Sequence, residues 1–130
     1  MAYKQIIDKK VLKHKRIRFI KGSSVSKKIL SMVKKFINPH SKVMVILDSS
    51  HKKNHVLNEL KIYSKLVSRG SYLIIEDTNI NGHPAYKEFG PGPMEAVEEF
   101  LKRNKNFISD RKMEKFYLTF NPKGYLLRIK

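Results

Sequence analysis

Val43-Met44-Val45-Ile46-Leu47-Asp48 and, 23 residues further on, Tyr72-Leu73-Ile74-Ile75-Glu76-Asp77 are the two stretches that decide the fold. Each is a short, unbroken apolar run that stops at an acid. A run without polar alternation suits a strand buried on both faces, as in a parallel sheet. The chain between the runs is long enough for a helical crossover. Val56, Leu57, Leu60, Tyr63 and Val67 supply its amphipathic face, and Arg69-Gly70 closes it. The pair therefore predicts a β-α-β unit with its strands side by side.

Working outward, Arg16-Ile17-Arg18-Phe19-Ile20 alternates polar and apolar residues and stops at Gly22-Ser23-Ser24. It predicts a strand followed by a turn. Val25, Ile29, Met32, Val33, Phe36 and Ile37 then share a helical face, with Ser24 as N-cap and Asn38-Pro39 as the stop. Downstream, a loop from Thr78 to Gly92 leads to Pro93, the expected first residue of a third helix. Its face is Met94, Val97, Phe100 and Leu101, and its acids precede its bases, as the helix dipole favours. Phe116 to Phe120 and Gly124 to Ile129 flank Asn121-Pro122-Lys123-Gly124. That segment predicts a C-terminal antiparallel hairpin closed by a type I turn. The expected class is α/β, in a single domain over residues 1–130 with a basic segment at 1–15.

Composition narrows the function. The chain has no cysteine, which excludes disulfides, zinc thiolate sites and thiol nucleophiles and fits a cytoplasmic protein. No run approaches the ~18 apolar residues of a membrane span. Met1 to Lys10 has charges but no apolar run behind them, so no secretory signal is expected. The net charge is +17, and residues 1–35 hold 12 Lys or Arg against one acid, Asp8. Such density attracts phosphate backbones. However, 22 of the 28 cations are Lys, which lacks the bidentate readout of Arg. Nucleic-acid binding therefore ranks below the readings that follow.

In an open parallel sheet, ligands bind outside the carboxyl ends of the strands. Asp48 ends one buried strand, and Glu76 with Asp77 ends the next. Neighbouring strands lie about 4.8 Å apart, so acids at matching ends reach a common ion. Acids also end strands merely to cap helices, but three at two successive ends outweigh that. Oxygen donors without cysteine favour Mg²⁺ or Mn²⁺. Consecutive strand residues point to opposite faces, so Glu76 and Asp77 converge only if the strand has already ended. His51, three residues after Asp48, is placed as a general base. His55 reads as a helix-surface residue, and His14, His40 and His83 have no supporting context. Gly22 and Ser23 offer backbone amides to a nucleoside base, or make a plain turn.

Several motifs occur in order: Leu47-Asp48-Ser49-Ser50-His51, Glu59-Leu60 with Tyr63, Gly70-Ser71-Tyr72 and Ile75-Glu76-Asp77-Thr78-Asn79. Gly90-Pro91-Gly92-Pro93-Met94-Glu95-Ala96-Val97 and Asn121-Pro122-Lys123-Gly124-Tyr125-Leu126 complete the set. From about Arg16 onward the chain resembles the cephalosporin hydroxylase / rhamnosyl O-methyltransferase family. The resemblance implies a Rossmann-like methyltransferase sheet, S-adenosylmethionine, Mg²⁺ and a small-molecule hydroxyl acceptor such as a sugar. By motif, Asp48, Glu76 and Asp77 match the family's metal carboxylates, His51 its proposed base, and Gly22 and Ser23 part of its cofactor site. The family's Gly-rich cofactor loop has no counterpart before Arg16, and Ile6-Ile7-Asp8 is a candidate remnant of the second strand. The expectation is a domain truncated at the N-terminus, with its first strand and helix missing. Such a chain is expected to be inactive alone and prone to oligomers through an open sheet edge. A non-catalytic remnant or binding module of the same fold is the rival reading. The hydroxylase in the family name is disfavoured, because no facial triad of two His and one carboxylate for iron is present.

Overall fold

The computed structural model describes residues 14–115 and 118–130. Ile6-Ile7-Asp8, most of the basic segment, and Phe116 and Tyr117 lie outside them. The chain divides into two units, residues 1–36 and 37–130.

In the first unit, residues 16–20 are not a strand. Arg16 lies in a turn in which Ile17 N–H donates to the His14 carbonyl at 2.9 Å, and Ile17 and Phe19 are 42% and 47% exposed. Alternation is necessary for a half-buried strand, but a strand exists only where a neighbour takes up its backbone groups. A helix, α1 (Lys27–Lys35), does form, with Ser26 rather than Ser24 at the N-cap and no side-chain cap bond. None of its residues is buried, and Phe36 is 58% exposed. The described cations of this unit are all on the surface.

The second unit holds the α/β core. Its elements are β1 (Val45–Leu47), α2 (Lys53–Tyr63), β2 (Tyr72–Ile75), α3 (Pro93–Arg103), β3 (Phe107–Ser109) and β4 (Tyr125–Arg128). β1 and β2 are parallel neighbours, with Val45 opposite Leu73 and Leu47 opposite Ile75. The sheet order is β1-β2-β4-β3, and β4 is antiparallel to both of its neighbours. Leu47, Leu73, Ile75, Leu126 and Phe107 are buried from the sheet. Val56, Leu57, Leu60 and Tyr63 of α2 and Met94, Val97 and Phe100 of α3 complete the core. α2 and α3 pack on each other, and the Phe100 and Phe107 rings meet at 5.7 Å. Pro93 opens α3, and the Glu95 carboxylate reaches back to Gly92 N–H at 2.6 Å, a capping-box contact.

The expected C-terminal hairpin is not what forms. The turn does close, with Gly124 N–H donating to the Asn121 carbonyl at 2.9 Å. Lys123 has φ 60°, so this is a type II rather than a type I turn. Residues 118–120 are not a strand, and Leu118 and Phe120 are 85% and 70% exposed. Phe120 instead accepts a hydrogen bond from Asn79 N–H at 3.0 Å, covering the end of β2. β4 gains more by entering the sheet, where both of its edges are paired. Among the described residues, no helix is long and apolar enough to cross a membrane.

Candidate metal centre

The site grows from the ends of β1 and β2. Glu76 N–H donates to the Leu47 carbonyl at 3.0 Å, which carries the parallel pairing one residue past β2. The next residue breaks it, because Asp77 adopts φ 54° in the left-handed region. The strand has therefore ended, and its alternation no longer sends Asp77 to a fixed face. Asp and Asn tolerate this conformation better than other non-glycine residues. The Asp77 N–H is held by Asn121 Oδ1 at 2.8 Å.

Asp48, His51 and Asp77 come together. His51 Nε2 lies 3.0 Å from Asp77 Oδ2 and 3.6 Å from Asp48 Oδ1. One donor atom from each of the three lies within 4.8 Å of the others. His51 Nε2 is shielded from solvent, yet it makes no hydrogen bond of acceptable direction among the described residues. Its 3.0 Å approach to Asp77 is thus an electrostatic contact. A buried polar atom left in this way calls for a partner from outside the chain. Two carboxylates in this spacing suit a divalent cation with an affinity for oxygen, completed by water or substrate, with the imidazole able to serve as a further ligand or as a base beside it.

Glu76 is placed differently. Its Oε2 accepts from Asn121 Nδ2 at 3.2 Å, and it is not in the three-residue cluster. Gly22 and Ser23 are exposed in the turn before α1, where Ser26 N–H donates to the Ser23 carbonyl at 3.0 Å.

Several residues of interest were assigned no role from the sequence. Asn121 is read from the sequence as the start of a turn and as part of a family motif, with no role of its own, yet its buried side chain touches both Glu76 and Asp77. Thr78, wholly buried, donates from Oγ1 to the Pro122 carbonyl at 2.7 Å. Glu59 on α2 is 2% exposed, and Ser49 Oγ donates to its Oε1 at 2.8 Å. His55 Nε2 lies 3.2 Å from the same Ser49 Oγ, so it looks inward as well as outward. His83 lies 2.8 Å from Glu95, which also accepts from Asn81 at 2.9 Å. Burial opposes the charge of Glu95, but the bonds from His83, Gly92 N–H and Asn81 outweigh it and hold its pKa down at about 2. This network reaches the site through the backbone. Lys53 N–H donates to the Pro91 carbonyl at 3.1 Å, and a Cβ on Gly92 would stand 3.5 Å from the His51 carbonyl.

A family model described as Rhamnosyl O-methyltransferase/CmcI matches residues 3–129. A rhamnosyl O-methyltransferase of Mycobacterium tuberculosis (strain ATCC 25618 / H37Rv) is 39% identical over 125 residues, covering 94% of this chain and 51% of that protein. The same figures hold for one from Mycobacterium bovis (strain ATCC BAA-935 / AF2122/97). One from Mycobacterium leprae (strain TN) is 36% identical over 118 residues, covering 86% of this chain and 50% of that protein. The chain thus spans about half the length of the curated relatives it matches. No solved structure matches.

Proposed function

Because the chain belongs to the rhamnosyl O-methyltransferase/CmcI family, we propose that it carries the cation-binding half of an S-adenosylmethionine-dependent O-methyltransferase acting on a sugar hydroxyl. The observation that carries this reading is the convergence of Asp48, His51 and Asp77 beyond β1 and β2. In open α/β sheets this is where ligands bind. The parallel β1–β2 pair with its α2 crossover is consistent with a Rossmann-like methyltransferase sheet.

Asp48 and Asp77 would hold Mg²⁺ or Mn²⁺, with Glu76 as the third carboxylate, one residue from Asp77 and oriented by Asn121. When bound, such a cation polarises a coordinated hydroxyl and lowers its pKa. His51 Nε2 accepts the proton of that hydroxyl. Asp77 Oδ2 at 3.0 Å and Asp48 Oδ1 at 3.6 Å hold the ring beside the place where that hydroxyl would bind. The methyl donor enters this reading through the family. Gly22 and Ser23, exposed in the turn before α1, are the residues this reading assigns to that donor.

Mn²⁺ titration followed by electron paramagnetic resonance is the first test. Saturable binding that is lost in Asp48→Ala supports the site, and identical titrations from both proteins count against it. The second test supplies the amino-terminal half of a mycobacterial relative and measures transfer of labelled methyl to a rhamnosyl acceptor in Mg²⁺. Transfer that depends on both halves and disappears in His51→Ala is the expected result.

A further inference from the structure

The segment 119–124 comes from far along the chain, yet it is moored at several points to the end of β2 and the residues just after it. Ile75 N–H donates to the Gly124 carbonyl at 2.9 Å, Asp77 N–H to Asn121 Oδ1 at 2.8 Å, and Thr78 Oγ1 to the Pro122 carbonyl at 2.7 Å. Gly124 permits this approach, because a Cβ there would fall 2.4 Å from the Ile75 carbonyl oxygen. Those at Gly124, Pro122 and Phe120 fasten the segment without touching a carboxylate. The one at Asn121 does more.

Asn121 is 7% exposed, and its backbone N–H, its carbonyl and both ends of its side chain are engaged. The backbone N–H donates to Thr119 Oγ1 at 3.0 Å, and the carbonyl accepts from Gly124. Oδ1 accepts from Asp77 N–H, while Nδ2 donates to Glu76 Oε2 at 3.2 Å. This orientation of the amide is fixed by chemistry. Reversed, it would set an NH₂ against an N–H and an oxygen against a carboxylate. An acceptor and a donor are needed side by side on a short side chain, and only Asn provides them at this length. Asp would put a second anion beside Glu76, and Gln would carry the amide one methylene too far.

We propose that Asn121 is the positioning residue of the cation site, fixing the left-handed turn that presents Asp77 and the direction of the Glu76 carboxylate with one amide. The proposal rests on the cation reading above. Groups outside the ligand shell that orient ligands typically cost about 10–100-fold in metal affinity when lost. Here a single side chain orients two consecutive acids that strand geometry alone would send to opposite faces. The turn at Asp77 and the hydrogen bond at Glu76 are thereby set together rather than independently.

The test uses the full chain and three variants, Asn121→Ala, Asn121→Asp and Thr78→Val. Mn²⁺ affinity is read by electron paramagnetic resonance, and exchange of the Asp77 amide by NMR without metal. Asn121→Ala is expected to weaken Mn²⁺ binding by about 10–100-fold and to speed exchange of the Asp77 amide. Thr78→Val breaks a neighbouring mooring without touching a carboxylate, so it should lower the melting temperature and leave the Mn²⁺ Kd within about threefold. Asn121→Asp keeps the acceptor and loses the donor. It should leave the Asp77 amide protected while shifting the Mn²⁺ Kd by about tenfold or more, and it carries the test if the alanine variant does not fold. An unchanged Mn²⁺ Kd in the Asn121 variants overturns the proposal. So does a loss in Thr78→Val equal to that in Asn121→Ala. Wild type that binds no Mn²⁺ defeats the cation reading itself. The exchange data then decide alone whether Asn121 holds the turn, and an Asp77 amide as fast in wild type as in Asn121→Ala overturns it.

Discussion

Replacing Glu95 by Gln should cost the fold about 2 kcal/mol at neutral pH and almost nothing near pH 2. Glu95 lies 2.6 Å from Gly92 N–H, 2.8 Å from His83 Nε2 and 2.9 Å from Asn81 Nδ2. All three approach as donors to a carboxylate, so the amide of Gln would set its own NH₂ against at least one of them. The carboxyl pKa falls from 4.5 to about 2 on folding, which corresponds to at most about 3.4 kcal/mol. The side chain is 25% exposed, and solvent screening brings that ceiling down to about 2 kcal/mol. The sign follows from the depressed pKa. The stabilisation is complete above the unfolded value near 4.5 and is lost as pH falls through about 2, where the folded carboxyl itself protonates. Urea unfolding followed by far-ultraviolet circular dichroism, at several pH values from 7 down to 2.5, measures the gap between wild type and Glu95→Gln. The chain has no Trp, so a fluorescence assay would rest on Tyr alone. The gap should be widest at pH 7 and close progressively below pH 4.5. A gap that stays constant with pH, or no gap at pH 7, refutes the charge-based account of this network.

His51→Ala should abolish methyl transfer by the reconstituted enzyme while Mn²⁺ binding, measured separately, survives within about tenfold; loss of both together would make the ring a ligand rather than a base. Leu60 on α2 is fully buried, and Leu60→Ala should lower unfolding stability by about 2–5 kcal/mol in urea melts. Gly124→Ala forces a Cβ to 2.4 Å from the Ile75 carbonyl, so calorimetry should find a Tm lowered by several degrees, corresponding to about 1–3 kcal/mol; an unchanged Tm would mean that the turn yields freely.

The parallel pair β1–β2 was legible from two dense apolar runs ending in acids, but their expected burial on both faces was not met, since Met44 and Ile46 are 55% and 52% exposed while Leu47, Leu73 and Ile75 are buried. The faces of α2 and α3 were legible because Leu60, Val97 and Phe100 recur at helical spacing, and burial follows that spacing directly. The segment 16–20 shows the limit of such patterns. Its alternation is strand-like, but nothing local states whether a neighbouring strand exists to pair with it. The tail failed for a related reason. Asn121-Pro122-Lys123-Gly124 does encode a turn, but not that the residues before it would cover the end of β2 while those after it enter the sheet. That choice depends on contacts with residues more than 40 positions away. In the site, Asp48, His51 and Asp77 announced themselves by position after strands. Asn121 and Glu59 did not, because a buried amide or acid is recognisable only by what surrounds it.

β4 is later in the chain than β3, yet it lies between β3 and β2. On the ribosome this means the sheet cannot grow strand by strand in order of synthesis. Once β2 has emerged, 49 further residues separate Ile75 from Tyr125, and their translation takes about 2–10 s. During that interval one edge of β2 is unpaired, and β3 has no partner at all among the described strands. Unpaired edges recruit foreign strands. The turn that carries Asn121 is made just before β4, so the acids at the end of β2 acquire their final orientation in the same late step that closes the sheet. A nascent chain stalled shortly before residue 121 would hold every proposed metal carboxylate and still lack the group that aligns them, a state that chaperones or premature strand exchange would meet first.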